Sequence, residues 1–233
     1  MYMNTIGIIG AMDEEVSILL ELMEVKKTIN KASLKFNQGT IEGRDVVLVK
    51  CGIGKVNAAL CAQILISEFG VDAVVNTGVA GALNEQLDVN DIVISTDAVE
   101  HDFDAIAYDY PKGVIPRMET SVFKADERLI EAAYNSSINS TKHNVFKGRI
   151  ATGDIFIASR ELKDSIVKDF GAYCGEMEGG AIAHVCYLNN TPFVIIRAMS
   201  DKADDSANVT YDEFVIEAAH NSKDIVLNML KSI

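Results

Sequence analysis

The chain has 233 residues, of which 48% are hydrophobic and 24% are charged, so we expect a globular protein with a sizeable core. Its formal net charge is −13, which disfavours nucleic acid or an anionic membrane as a partner, because both need a basic surface. A single neutral nucleoside remains compatible with that charge.

The cysteines and the apolar runs bear on where the protein works. No stretch reaches the roughly 18 unbroken apolar residues of a membrane helix, and the N-terminus lacks the pattern of a signal peptide. The cysteines form no C-x-x-C pair and lie in apolar segments, at Cys51, Cys61, Cys174 and Cys186. Buried, reduced thiols are typical of a reducing compartment, so we predict a cytoplasmic protein.

Strands and helices alternate along the chain, because apolar, β-branched runs are followed by segments of helical period. In chain order, the sequence predicts a strand in "TIGIIGAM", a helix from about Asp13 to Met23, two strands joined by a turn at Gly43, a helix closed by Gly70, strands in "DAVVNTG" and "DIVISTDAV", a helix in "ERLIEAAYNSS", a helix closed by Gly171, a buried strand in "PFVIIRAMS", and a long final helix in "YDEFVIEAAHNSKDIVLNML". These elements predict one α/β domain over residues 1–233, with a mixed sheet and helices on both faces.

Polar residues gather where four of these strands end. The segments are "GAMDEE", "NTGVAGAL", "GEMEGG" and "RAMSDKADD". Ligands of such sheets bind at strand ends, so these side chains could converge on one solvent-accessible cleft. Glu176 and Glu178, at spacing two, are expected on one side of a strand. A simpler role is helix capping, which we favour for Asp13 and Glu14.

Other catalytic motifs do not fit the sequence. "CGIGKVNAA" is not the G-x-x-x-x-G-K-[ST] loop that binds nucleotide phosphates, and neither G-x-S-x-G nor H-E-x-x-H occurs. "HDFD" could donate metal ligands, but without further clustered histidine or cysteine it is better interpreted as a loop with solvated acids. His184, in an apolar helix, is expected to be a core histidine with a satisfied ring. We predict no metal and no organic cofactor.

Six segments in order carry a family resemblance: "GIIGAMDEEV", "GIGKVNAA", "NTGVAGAL", "TGDIFI", "GEMEGGAIAHVC" and "RAMSDKAD". Together they resemble the 5′-methylthioadenosine/S-adenosylhomocysteine nucleosidases of the nucleoside phosphorylase superfamily, over nearly the whole chain. The resemblance implies a single three-layer α/β/α domain with a central twisted mixed sheet. It also implies a homodimer that hydrolyses the N-glycosidic bond of 5′-thio-substituted adenosines, giving adenine and the thioribose.

The same resemblance implies roles for individual residues. Glu15 would activate the attacking water, Asp201 would protonate adenine N7, and Glu178 would hold the ribose 2′- and 3′-hydroxyls. Glu176 is expected to be a supporting residue. The implied substrate contacts are Met177 beneath the sugar, Phe156 and the Ile157 backbone on adenine, Ser200 beside the acid, Arg197 on the water side, Met12, Ile53 and Tyr211 along the alkylthio slot, and Tyr108 and Tyr110 partly from the partner subunit.

Val79 departs from the family pattern, in which serine often stands at this position, in "NTGSAGG". There the hydroxyl helps to hold the water or the sugar carboxylate. Valine offers no donor, so we expect Glu15 and Arg197 to position the water without it.

The chemistry agrees with these residue types. Breaking the C1′–N9 bond leaves positive charge on the ribose and negative charge on adenine, so carboxylates near the sugar and an acid near adenine both help. An ordinary aspartate has a pKa near 3.9, so Asp201 must be desolvated or gain its proton through contact with adenine.

Two alternatives stay open at this point. The first is a phosphorylase of the same superfamily, although the acids of the first loop would repel a phosphate dianion. The second is a non-catalytic nucleoside-binding module, which the three candidate catalytic carboxylates disfavour.

Overall fold

The computed structural model describes residues 3–233, which form ten strands, six helices and one short 3₁₀ turn. The helices are α1 (Asp13–Leu22), α2 (Lys55–Phe69), α3 (Glu127–Ile138), α4 (Arg160–Phe170), α5 (Gly179–Leu188) and α6 (Ala207–Ser232). The strands are β1 (Thr5–Gly10), β2 (Glu24–Lys31), β3 (Leu34–Ile41), β4 (Arg44–Lys50), β5 (Ala73–Ala82), β6 (Ile92–Glu100), β7 (Phe123–Lys124), β8 (Val145–Thr152), β9 (Cys174–Glu176) and β10 (Phe193–Asp201). The 3₁₀ turn is Ile106–Tyr108.

Local sequence signals set several helix ends. Gly70 and Gly171 follow α2 and α4 with φ of 61° and 62°, the left-handed conformation that glycine adopts without strain. Asp126 begins α3 by accepting hydrogen bonds from two first-turn amides, and the Ser159 side chain begins α4 in the same way. The predicted helix from Asp13 ends one residue early, at Leu22.

The sheet is mixed, and part of it closes on itself. Strands β10, β5, β1 and β4 run parallel, and β3 and β2 continue the sheet antiparallel from β4. On the other side, β6, β8 and β9 connect β10 back to β5. Gly81 of β5 is therefore in register with both Asp201 of β10 and Gly175 of β9. This closure brings the ends of β5, β9 and β10 to one place.

Two groups of helices cover the sheet and complete the three layers. Helix α6 packs against α1 and α3, and α2 packs against α5. The central strands β1 and β5 are buried except for one residue each, and β10 is buried along its whole length. The core is accordingly made of side chains from β1, β4, β5 and β10 packed against helix residues. The predicted α/β architecture is confirmed.

Strands β2, β7 and β8 were not predicted, and β7 has only two residues, too few for a pattern. All but one of the residues of β2 are exposed, so this edge strand carries no buried apolar face that a pattern could reveal. Strand β8 reads "VFKGRIAT", in which charged residues and a glycine interrupt the apolar run. The strand limits also differ, because β5 continues through Val79 to Ala82 and "NTGVAGAL" is mostly strand.

No helix among residues 3–233 is both long enough and apolar enough to span a lipid bilayer.

Candidate active site

A cavity of about 220 Å³ lies where β1, β5, β9 and β10 end. Its walls are Ala11, Met12, Glu15, Ile53, Val79, Ala80, Gly81, Phe156, Gly175, Glu176, Met177, Glu178, Ser200, Asp201 and Tyr211. Most of the site residues predicted from the sequence are in this set. A smaller adjoining cavity of about 30 Å³ adds Ile157 and shares Phe156, Met177 and Asp201 with the first.

Glu15 lies at the first turn of α1 and is held by three backbone amides. Its Oε2 accepts hydrogen bonds from Ala11 N (2.6 Å) and Met12 N (3.1 Å), and its Oε1 accepts one from Val79 N (3.1 Å). Burial raises the pKa of Glu15, and the nearby charge of Arg197 together with these amides offsets only part of that rise. The carboxyl is thus prepared to accept a proton.

The close approach to Glu15 depends on Gly78, which the sequence argument did not single out. A Cβ at Gly78 would lie 2.3 Å from Glu15 Oε1 and 2.8 Å from Arg197 Nη1. Any other residue would push both charged groups away from β5. The only available signal was the glycine in "NTGVAG", and close approach of a backbone to a functional group is a typical reason for glycine in a strand.

The Glu176 carboxylate lines the cavity and is also hydrogen-bonded to surrounding protein groups. It accepts hydrogen bonds from the Thr152 hydroxyl and from Arg197 Nη2, and also from the amides of Glu178 (3.0 Å) and Gly179 (2.6 Å). Burial alone would raise the pKa of Glu176, but the Arg197 charge and these hydrogen bonds lower it overall. The carboxylate therefore stays ionised, and its supporting role stays a prediction.

Glu178 has fewer partners and a different ionisation. It follows β9, which ends at Glu176, so the two acids do not share a strand as their spacing had suggested. Glu178 Oε1 accepts a hydrogen bond from Gly54 N (2.9 Å), and its Oε2 is 3.9 Å from Arg197 Nη2. Burial and the neighbouring Glu176 charge raise the pKa of Glu178 to about 8.

Arg197 does not line the cavity but lies behind these carboxylates, on β10. Besides Glu176, its Nη2 donates to Asn76 Oδ1 (2.7 Å). Its Nε and Nη1 are buried and have no hydrogen-bond partner within residues 3–233. Nη1 lies beside the Gly78 backbone and Glu15, and the charge of the guanidinium limits the rise in the pKa of Glu15.

Asp201 ends β10 at the opposite side of the cavity. Ser200 Oγ donates a hydrogen bond to Asp201 Oδ2 (2.8 Å), and Ala203 N donates one to Oδ1 (2.8 Å). Burial raises the pKa of Asp201, and these two bonds offset the rise only in part. No lysine or arginine among the described residues lies within 4 Å of its carboxyl.

The sequence argument expected Glu15 and Asp201 at a solvent-accessible strand end, and this was wrong. They are only 6% and 2% exposed, because the closed part of the sheet and α6 cover the strand ends. Desolvation is also what moves their pKa values upward.

Aromatic side chains close the rest of the cavity. Phe156 and Tyr211 meet edge to face, with ring centroids 5.7 Å apart, and the Tyr211 hydroxyl donates to Met12 Sδ (3.2 Å). Tyr108 and Tyr110 do not line the cavity of their own chain. Tyr108 is 80% exposed. Its role at a partner's site stays a prediction.

The segment "HDFD" differs from the expected loop of solvated acids. His101 is buried, and Asp102 pairs with Lys55 (2.6 Å between Oδ1 and Nζ). Within residues 3–233, no group of three or more histidine, cysteine or acidic side chains is arranged to hold a metal. His184 Nδ1 lies 3.0 Å from Glu100 Oε1 and its ring stacks on Phe123, so its ring is satisfied, although the side chain is only partly buried.

Known proteins resemble this chain over nearly its full length. A curated 5′-methylthioadenosine/S-adenosylhomocysteine nucleosidase of Bacillus licheniformis is 44% identical over 229 residues, which are 98% of this chain and 99% of the relative. A crystal structure of the nucleosidase of the same name from Neisseria meningitidis, in complex with methylthio-immucillin-A, is 41% identical. It superposes with a TM-score of 0.95 over 99% of this chain and all of the other.

A third neighbour has a different named activity. The futalosine hydrolase of Helicobacter pylori is 34% identical, with a TM-score of 0.93 over 99% of both chains. The family model described as the phosphorylase superfamily matches residues 5–231. The chain therefore belongs to the 5′-methylthioadenosine/S-adenosylhomocysteine nucleosidase family of the phosphorylase superfamily.

Proposed function

We propose that this chain hydrolyses the N-glycosidic bond of 5′-methylthioadenosine and S-adenosylhomocysteine, releasing adenine and the 5-thioribose product. The observation that supports it best is one cavity lined by three buried carboxyls, Glu15, Glu178 and Asp201, whose pKa values are all raised. Groups tuned toward neutral pH are suited to proton transfer. The choice of 5′-thioadenosines as the substrates rests on the named activity of the relatives.

Departure of adenine is assigned to the Asp201 side. The C1′–N9 bond breaks with its electron pair passing to adenine, and Asp201 delivers a proton to N7, which neutralises the leaving group. Ser200 and Ala203 fix the carboxyl by their hydrogen bonds, and burial keeps it protonated at a higher pH than an ordinary aspartate. Phe156 and the Ile157 backbone would hold the base.

Attack of water is assigned to the Glu15 side. The water oxygen bonds to C1′ and gives its proton to Glu15, while the charge of Arg197, behind the carboxylates, limits the rise in the pKa of Glu15 so that it can act as a base. Glu178 accepts from the ribose hydroxyls, and Met177 packs beneath the sugar. The acidic groups around the ribose also favour its developing positive charge.

Phosphate is a poor alternative nucleophile at this site. The described residues that line the cavity include no lysine or arginine, and the nearby Arg197 is already bonded to Glu176. A phosphate dianion would instead meet the ionised carboxylate of Glu176 in the cavity wall, and like charges in a poorly solvated site repel strongly. The same arrangement is suited to a neutral water.

The direct test is adenine release from both nucleosides in phosphate-free buffer, with added chelator. We expect full turnover and no gain on adding phosphate. A strict phosphate requirement with a sugar 1-phosphate product would contradict the hydrolase, and binding without turnover would identify a binding module. Futalosine belongs in a parallel assay that follows release of its own base, because a futalosine hydrolase resembles this chain.

We further propose that the working form is a homodimer, in which residues 101–116 approach the partner's cavity. Val56 on α2 and Tyr108 are 79% and 80% exposed, and the pairing of Asp102 with Lys55 brings that segment beside the start of α2. Large exposed apolar residues are typical of an interface.

Sedimentation across a dilution series tests the dimer. We expect Val56→Asp to dissociate it with loss of turnover, and Leu22→Asp, an equally apolar exposed site at the end of α1, to change neither. A fully active wild-type monomer would contradict the shared site.

The compartment is a smaller part of the proposal. The four cysteines are free and buried, and burial raises the pKa of each thiol, which keeps it unreactive. Such thiols fit the reducing conditions of the cytoplasm.

A further inference from the structure

A cluster of charged side chains lies next to the cavity without lining it. Lys55 Nζ, at the start of α2, donates to Asp102 Oδ1 (2.6 Å) and to Glu100 Oε2 (3.2 Å). The side chains of Lys55, Glu100 and Asp102 are 20%, 10% and 15% exposed. Pairs as sheltered as these stay fixed better than surface ion pairs, and loss of one partner leaves a poorly solvated charge.

Asp102 and Asp154 connect this ion pair to the adenine side. Asp102 Oδ2 accepts a hydrogen bond from Asp154 N (2.9 Å), and Asp154 Oδ1 accepts one from Lys55 N (2.8 Å). Lys55 N is one of the first-turn amides of α2 that have no partner within the helix. Lys55, Asp102 and Asp154, which we call the Lys55 clamp, thus join the start of α2 to the segments that follow β6 and β8.

The clamp acts on the residue that contacts Glu178. Gly54, immediately before Lys55, donates its amide to Glu178 Oε1 (2.9 Å). Gly54 has φ of 95°, and a Cβ there would lie 3.0 Å from Asp154 Oδ1. Adjacent backbone amides therefore bond the sugar-side carboxyl and the clamp, so anchoring Lys55 N restricts how far Gly54 N can move away from Glu178.

We propose that Lys55 and Asp102 are positioning residues for the reaction: through Asp154 and the amide of Lys55, they anchor the backbone next to Gly54, which holds the Gly54 amide on one oxygen of Glu178 and leaves the other oxygen for the ribose. This inference rests on the proposed function. The clamp touches no substrate, and its effect is to fix the carboxyl that does. Because the Asp154 amide is bonded to Asp102, the loop that carries Phe156 is anchored to the same unit.

The first test compares two nucleosides in kinetic assays. Lys55→Met keeps the length of the side chain and removes its charge, and Lys55→Arg keeps the charge. Loss of a hydrogen bond to a charged group changes a rate or equilibrium constant by about 10-fold or more. We therefore expect kcat/KM on methylthioadenosine to fall about 10-fold in Lys55→Met. On 2′-deoxy-methylthioadenosine, which offers Glu178 less to hold, we expect a fall of less than about threefold.

Matched variants make the result specific. Lys55→Arg should recover most of the loss, Asp102→Asn should reproduce it, and Lys26→Met, which removes an exposed pair with Asp45, should change nothing. Should Lys55→Met fail to fold, Asp102→Asn provides the same comparison. Equal losses on the two nucleosides would overturn the clamp, because a general structural defect does not distinguish a sugar hydroxyl.

The second test needs no turnover and separates the clamp from the proposed function. Thermal unfolding of Lys55→Met, Glu178→Ala and the double variant measures whether the two residues are coupled. We expect the decrease in Tm of the double variant to be smaller than the sum, and Lys26→Met with Glu178→Ala to be additive. Additive shifts for the first pair overturn the clamp. If the Tm values show coupling between Lys55 and Glu178 but the wild type is inactive on every nucleoside, the physical link between the two residues stands. The positioning role in this reaction is then overturned together with the proposed function.

Discussion

The two ends of the cavity hold acids of the same chemical type in different electrostatic surroundings. At the sugar end, Glu176 and Glu178 share the cation Arg197, and the pKa of Glu176 falls while that of Glu178 rises. At the adenine end, Asp201 is bonded only to a hydroxyl and an amide, and burial raises its pKa. The placement of one guanidinium therefore decides which acid stays ionised and which can carry a proton.

The comparison also concerns what each acid does for the fold. Glu15 satisfies three buried amides, whereas Asp201 satisfies one amide and one hydroxyl that can rotate. An amide side chain can replace Asp201 without losing either bond, because the Ser200 hydroxyl can reverse its direction. It cannot replace Glu15 so easily, because its NH₂ group would face a backbone donor.

The largest effect is expected at the adenine end. Asp201→Asn should lower kcat by about 10²–10⁴-fold, the range for loss of one general acid, with little change in Tm. Steady-state kinetics and thermal unfolding on one preparation measure both. Near-normal turnover would remove Asp201 from the mechanism.

At the sugar end, Glu15→Gln should lower kcat by a similar 10²–10⁴-fold, about as much as loss of one general base. Unlike Asp201→Asn, it should also lower the free energy of unfolding, by about 1–3 kcal/mol, because one buried amide loses its acceptor. Chemical denaturation of both variants tests the contrast. Equal stabilities for the two variants would refute the difference between the ends.

The ionisation of Glu178 predicts how stability depends on pH. Its folded pKa, about 8, lies above its ordinary value of 4.5, so the folded state binds the proton more tightly. The associated stability is complete below pH 4.5 and is lost as pH rises through about 8. Glu15 and Asp201 act in the same direction, and Glu176 acts in the opposite one.

Glu178→Gln should therefore flatten the decrease in Tm of the ligand-free protein between pH 5 and pH 8.5, relative to wild type. Unfolding scans at a series of pH values measure this, with Asp13→Asn as an exposed control. Unchanged pH dependence in Glu178→Gln would mean that the carboxyl ionises normally.

The smallest effect is expected at Val79. Its amide already donates to Glu15 Oε1, so the bond that fixes Glu15 does not need a side-chain hydroxyl. A new serine hydroxyl is worth about 1 kcal/mol, about fivefold in rate, so Val79→Ser should alter kcat/KM by less than about tenfold. Restoration of turnover in an otherwise inactive protein would instead indicate a binding module that had lost its water site.

Local sequence patterns determined much of this protein. The apolar runs of β1, β5 and β10, the glycines that end α2 and α4, and the acids near strand ends all predicted elements that the structure contains. These signals are local, since periodicity and turn chemistry act over a few residues. The family resemblance added the residues that line the cavity.

The tertiary structure alone decided the electrostatics of the site. Contacts between distant parts of the chain set this electrostatics. They bury Glu15 and Asp201, pair Arg197 with Glu176, and link Lys55 to Glu178. Sequence spacing could not reveal them, because they depend on how the closed part of the sheet brings strand ends together. A pKa is set by desolvation and neighbouring charge, and both exist only once the chain has folded.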